Sequence, residues 1–275
     1  MPVLSSRTAL FGALASLVGL VATGVLAYLI PVSHAHDSAT LAGFEALNRP
    51  RVTPLLSDIA HLANPKSYIA IGLALVVVAA LRRRPRVAAA ILFLLFATGA
   101  TTAVLKPLLA HPRFSEWLGE GQISAASWPS GHATAAMTLA LCAVLAATPR
   151  SRPTVATIGA LFAVAVSYSI LALGWHFPSD VVGGFFVAST WTLLAVAALV
   201  RWPGRTRART SGEFDSRGPV IVAGATAGVA GLIVLARPQQ VADFALARPS
   251  FVIGATVIAV LAAAMAVGFA RALRP

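Results

Sequence analysis

Charge is scarce in this chain, and acid is scarcest. Of 275 residues only 11% are charged, and Asp and Glu together number 9. Soluble domains are roughly 25% charged and about half apolar. Here 58% of residues are hydrophobic and the mean hydropathy is +0.82. That excludes an ordinary soluble globular enzyme. It also excludes a disordered chain, which needs low hydrophobicity and high charge. Cysteine is nearly absent. Cys142 is the only one, which excludes an internal disulfide framework and any cysteine-cluster metal site. It lies in an apolar run and reads as a small core residue. The alternating pattern of membrane-barrel strands is missing, and there is no convincing internal repeat.

What the chain does have is long apolar runs. A hydrocarbon core about 30 Å thick needs about 20 apolar residues in a helix. Eight stretches approach this: 8–30, 67–81, 87–105, 133–148, 154–174, 181–200, 219–236 and 251–270. The second and fourth are short, and need polar flanks, tilt or a locally thin bilayer. Backbone hydrogen bonds must close within each span, so the expected class is all-α, a polytopic membrane helix bundle. The first run follows Arg7, and Ser33-His34-Ala35 resembles a signal-peptide cleavage site. Its 23 uncharged residues exceed a signal h-region of about 7–15, so an uncleaved anchor is expected.

The net charge of +12 raises the question of nucleic acid, and its distribution answers it. Eight spans put both termini on one side. That side holds Arg7, the loops near 82–86, 149–152 and 201–218, and the C-terminal tail, with fourteen cations and two acids. The other side holds seven of each. The positive-inside rule places the first group in the cytoplasm, so the basic excess is a topology signal and no nucleic-acid partner is expected. Residues 1–200 read as a six-span core, 201–218 as an Arg-rich cytoplasmic linker that can touch anionic headgroups, and 219–275 as a two-span hairpin. The extracytoplasmic loop 31–66 permits an interfacial helix over about 40–62, interrupted near Pro50 and Pro54. His34, His36 and Asp37 in that loop, and Asp58 with His61, are read as a solvated loop and a helix face, although a metal site is conceivable. Trp117, Trp128 and Trp175 fit an interfacial aromatic belt; the last two flank polar motifs and can wall a pocket.

Three polar clusters sit at span ends, all on the extracytoplasmic face. Lys106 and Arg113 leave the third span. Taken alone they could snorkel to headgroups; together, a point charge and a planar fork can hold a phosphate. Trp128-Pro129-Ser130-Gly131-His132 enters the fourth span. Pro129 stops a preceding helix, Ser130 caps the next, and Gly131 lets a ligand approach free amides at a helix N-terminus. His132 adds a titratable group there, or is an ordinary interfacial histidine. His176 and Asp180 lie four apart between spans five and six. A carboxylate that accepts Nδ1–H makes the other imidazole nitrogen more basic; the alternative is a structural pair. Two histidines, two cations and a helix terminus point to phosphoryl transfer through a phosphohistidine, one histidine attacking and the other protonating the leaving oxygen.

These motifs resemble the type 2 phosphatidic acid phosphatase (PAP2) family, which shares its core with vanadium haloperoxidases. The family pattern is K-x6-R-P, then P-S-G-H, then S-R-x5-H-x3-D. Lys106 and Arg113 match the first, with Phe114 in place of its proline; Pro129 to His132 match the second; Ser169, His176 and Asp180 match the third. The resemblance covers about 67–200. It implies that His176 is the nucleophile, that Asp180 orients it and that His132 is the general acid. It further implies that Lys106, Arg113, Ser130 and Gly131 hold the phosphoryl oxygens, and that no metal or other cofactor is needed. One departure stands out: the third motif's arginine falls on Ile170. Losing a charge-assisted bond weakens a phosphate cradle by about 1.5–3 kcal/mol, and His111 is a candidate substitute.

The expected function is therefore an integral-membrane lipid phosphatase. Its substrate would be a phosphomonoester or diphosphate of a lipid, phosphatidate-like or polyprenyl, met at the extracytoplasmic face. A lipid-linked phosphotransferase of the same fold and a catalytically weakened lipid-binding scaffold are the alternatives. A transporter is disfavoured, since no charged residue lies mid-span.

Overall fold

Prolines open most of the helices. The structure, a computed structural model, describes residues 4–110, 123–201 and 217–273. Helices α2 (Pro31–Glu45), α4 (Pro65–Leu81), α5 (Pro85–Leu108), α8 (Pro178–Arg201), α10 (Pro238–Ala247) and α11 (Pro249–Ala272) each begin on a proline. Proline is favoured there because its missing N–H has no partner in the first turn anyway. Helices α3 (Thr53–His61) and α7 (Arg152–Ala172) carry one at their second position. Serine opens two others: Ser5 Oγ accepts Thr8 N–H at 3.0 Å before α1 (Ser6–Leu29), and Ser130 caps α6 (Gly131–Ala146). Helix α9 spans Arg217–Ala236. Among the described residues every regular element is helical, and the chain is a multi-pass membrane protein.

All eight apolar stretches are helical. Helices α1, α5, α7, α8, α9 and α11 are long and apolar enough to cross a bilayer. Helix α4 forms a further candidate with α3, bent by 50° at the break between them. Helix α6 is the short one, at 16 residues. Its surroundings explain it: thirteen of those residues are buried, so it sits among other helices. A helix apolar all round belongs in a core. It packs against α4, α5, α7, α8 and α11, while α1 lies along α8. One core cluster joins Ile91 and Leu94 of α5, Met137 and Val144 of α6, Ile170 of α7, Phe185 of α8 and Ile258 of α11.

The last helices are unequal. Helix α9 has no buried residue, whereas α11 is built into the bundle. Tyr168 Oη donates to Ala255 O at 2.6 Å, Thr40 Oγ1 donates to Ser250 O at 3.0 Å, and the Phe44 and Phe251 rings meet at 4.8 Å.

Helix α6 also fixes the polarity of the fold. At its C-terminal end Arg82 Nη1 donates to Ala146 O at 2.6 Å, and Arg84 Nη1 reaches the Ala146 and Ala147 carbonyls at 3.2 and 3.3 Å. Terminal carbonyls lack helical partners, so these arginines cap a helix in addition to weighting one side with charge. Ser130 and His132 are at the other end, about 24 Å away at 1.5 Å per residue.

Two expectations change. The segment 31–45 is helical, with a second helix over 53–61, instead of one interrupted helix over 40–62. The proline at its first position and the inward-facing Ser38, Thr40 and Leu41 fix α2 against neighbouring helices. Trp128 is no interfacial residue: it is 3% exposed and packs with Leu20, Ala27 and Val187 between α1 and α8. Trp117 lies outside the described residues.

Gly184 sets the crossing of α8 over the start of α6. A Cβ there would lie 2.8 Å from Ser130 O and 2.9 Å from Thr134 N, both backbone atoms. Gly184→Val is therefore expected to destabilise the protein by about 1–3 kcal/mol through overpacking. Thermal unfolding in detergent measures this; an unchanged Tm would contradict the close crossing.

Candidate active site

Two helix ends build the site. Helix α7 stops in a Schellman motif: Gly174, at φ +70°, donates its N–H to Leu171 O at 3.0 Å, and Trp175 N–H donates to Ile170 O at 2.9 Å. A left-handed residue here satisfies terminal carbonyls and turns the chain. A Cβ on Gly174 would also lie 2.5 Å from Glu45 Oε1, so that carboxylate would have to move aside. The turned chain delivers Trp175 and His176, and Pro178 then opens α8.

Within that turn, His176 Nδ1 lies 3.2 Å from Asp180 Oδ2. The same oxygen accepts Phe177 N–H at 3.0 Å. His176 is 6% exposed and Asp180 0%. A buried carboxylate that accepts Nδ1–H leaves Nε2 with its lone pair free. Asp180 also ties the two motifs together, because its carbonyl accepts Ser130 N–H at 2.9 Å. Ser130 Oγ in turn accepts Ala133 N–H at 3.3 Å, the capping bond that starts α6.

His132, on the first turn of α6, faces His176. Their ring centroids are 6.2 Å apart with planes at 63°. Both imidazoles can therefore address one small group placed beside them, one as nucleophile and the other as proton donor. Trp175 flanks the pair, its ring 5.6 Å from that of His132 and 6.3 Å from that of His61. A cavity of about 330 Å³ opens beside His132, with Lys106, Gly131, Thr102 and Tyr68 among its lining. A Cβ on Gly131 would meet nothing within 4 Å, so that glycine faces open space. Trp175 also lines a second cleft of about 430 Å³, together with Glu45, Asn48 and Gly174. Desolvation raises the Glu45 carboxyl above its ordinary pKa.

Lys106, Ser130, Gly131, His132, His176 and Asp180 are thus brought to one end of the bundle. Arg113 and His111 lie outside the described residues. Ile170 is fully buried in the core cluster, so this position supplies packing. Two further residues were not singled out from the sequence as part of the site. Asp37, read there as solvated, accepts Ser179 N–H at 2.9 Å through Oδ1 and Ser179 Oγ–H at 2.5 Å through Oδ2. It anchors α2 to the first turn of α8, beside Asp180. Asn64, at the break between α3 and α4, lies 2.8 Å from His132 Nε2 through Oδ1. Both partners are distant in sequence, 142 and 68 positions away, so no local pattern marks them.

This geometry agrees with a comparison made on sequence: residues 87–204 match the family model of the PAP2 superfamily. That stretch is similar to the PAP2 superfamily. Lys106, the Ser130–His132 turn and the His176–Asp180 turn all fall inside it. No curated protein matches this sequence. Among solved structures, the fold is similar to the "first transmembrane PAP2 type phosphatidylglycerolphosphate phosphatase from Bacillus subtilis". The TM-score is 0.56 at 21% identity, over 72% of this chain and 100% of that one. The likeness is one of fold. It extends beyond the matched residues 87–204, so helices outside them also take part in the shared architecture.

Proposed function

We propose that this chain is an integral-membrane lipid phosphatase that hydrolyses a phosphomonoester or diphosphate of a lipid through a phosphohistidine. The observation that carries the reading is the pair of imidazoles 6.2 Å apart, one held by a buried carboxylate and the other at a helix N-terminus beside Lys106. The match of residues 87–204 to the PAP2 superfamily model, and the likeness in fold to a transmembrane PAP2 type phosphatase, support it.

His176 Nε2 attacks phosphorus. The bond from phosphorus to the lipid oxygen breaks, and His132 gives that oxygen its proton. A lipid alcohol leaves from a monoester, a lipid phosphate from a diphosphate. Water then attacks the phosphohistidine while His132 takes a proton from it. The N–P bond breaks, phosphate departs and both histidines are restored. Lys106, Arg113 and the amides at the start of α6 hold the phosphoryl oxygens, where charge-assisted bonds are strongest.

Lipid is the favoured substrate class because the cavity beside His132 runs between α4, α5 and α6 and is mostly apolar in lining. Sidedness rests on the arginines. Arg82 and Arg84 cap the end of α6 opposite the histidines. With the basic loops in the cytoplasm, the site faces the extracytoplasmic leaflet and both termini are cytoplasmic. Eight spans meet this arrangement, with α3–α4 counted as one and α6 as a short one enclosed by its neighbours.

The test is phosphate release in detergent from phosphatidate, phosphatidylglycerophosphate and a polyprenyl diphosphate, each with EDTA. Release from at least one is expected, undiminished by the chelator. Release only when a second acceptor is present would turn the reading to a transferase. Binding without release would turn it to a scaffold, the alternative that Ile170 motivates.

A further inference from the structure

An imidazole that donates a proton must be held in one orientation and must give the proton up readily. For His132 the partner is Asn64. Its Oδ1 lies 2.8 Å from Nε2. An amide oxygen only accepts, so Nε2 carries a hydrogen and Nδ1 is the nitrogen left for the substrate. Asn64 is itself well fixed. Its N–H donates to His61 O at 3.1 Å, its carbonyl accepts Tyr68 N–H at 2.8 Å, and Pro65 follows it at the start of α4.

The two histidines therefore have partners of different charge. His176 has a carboxylate, Asp180, whose Oδ2 lies 3.2 Å from Nδ1 and fixes the ring. His132 has a neutral amide, which orients the ring without adding charge. Among the described residues, the titratable groups that face His132 are His176, Lys106 and His61. All three are neutral or cationic, so nothing in that set holds the proton back.

We propose that Asn64 is the positioning residue for His132, presenting Nδ1–H to the leaving oxygen while keeping the imidazolium ready to release its proton. This rests on the reading of His132 as the acid.

The experiment compares pH–rate profiles of wild type, Asn64→Asp and Asn64→Leu with phosphatidate and with p-nitrophenyl phosphate, the latter read as the first-turnover burst of p-nitrophenol, because that leaving group needs no proton while hydrolysis of the phosphohistidine uses His132 with either substrate. Asn64→Asp is isosteric and sets a carboxylate against His132. Its alkaline limb on phosphatidate is expected to move up by about one pH unit or more, the effect of an opposite charge at this range. Asn64→Leu is expected to lower kcat on phosphatidate by about 10–100-fold, with KM little changed and a much smaller loss on p-nitrophenyl phosphate. A profile of Asn64→Asp that superimposes on wild type would overturn the proposal, as would equal loss of both substrates in Asn64→Leu. His132→Gln separates the two levels. If it loses phosphatidate but keeps p-nitrophenyl phosphate while the Asn64 variants behave as wild type, only the role of Asn64 fails. If it keeps both, the acid assignment itself fails.

Discussion

Replacing His176 with alanine is expected to lower phosphate release from a lipid phosphate by on the order of 10⁴-fold or more, the loss typical when a covalent nucleophile is removed. That is about 5 kcal/mol of transition-state stabilisation. The effect should fall on kcat, because the groups proposed to hold the phosphoryl oxygens are on other residues: Lys106 on α5 and the amides at the start of α6. Folding is expected to survive. His176 lies in the turn between α7 and α8, outside the apolar core cluster, and is hydrogen-bonded to Asp180. A variant that unfolds at the wild-type temperature, binds lipid phosphate and releases nothing is the expected result. Residual turnover within tenfold of wild type would show that phosphorus is attacked by another group.

Asp180→Asn is expected to cost about 10³–10⁴-fold in kcat, by the same logic that makes a carboxylate indispensable behind a catalytic imidazole. Asp180 Oδ2 accepts from both His176 Nδ1 and Phe177 N. An amide oxygen at that position can still accept, but it carries no charge. The amide nitrogen, when turned to Nδ1, offers it a donor that favours the wrong tautomer. The backbone link from Ser130 N–H to the Asp180 carbonyl is untouched by the substitution, so the start of α6 stays in place. A kcat loss with nearly constant KM and Tm is the expected signature. A fall in Tm that matches the fall in activity would instead assign Asp180 a structural role.

Much of this architecture can be read from local sequence. The eight apolar stretches become helices because a bilayer permits little else, and Ser130 caps α6 as its position before an apolar run indicates. The motif residues that the structure describes gather at one end because two helix ends deliver them. Gly174 turns α7 through its left-handed backbone, and the Pro129-Ser130 step starts α6. What could not be read depends on packing between distant segments. Asp37 looks solvated until α8 is placed against α2. Asn64 is one polar residue among several before a proline. Trp128 has the position of an interfacial residue, yet α1 and α8 close around it. The arginines at 82 and 84 read as a charge signal alone, because the free carbonyls they cap belong to another helix. Ile170 marks the limit of motif reasoning: its departure from the pattern is plain, but that its side chain is wholly core follows only from the packed bundle.

Covalent capture of the phosphoryl group tests the central claim most directly. Enzyme mixed with a lipid phosphate labelled in its phosphoryl group, quenched in alkali within the first turnovers and digested, should carry the label on the peptide that contains His176. His176→Ala should carry none. Label on another residue, or label retained by the variant, would contradict nucleophilic attack by His176.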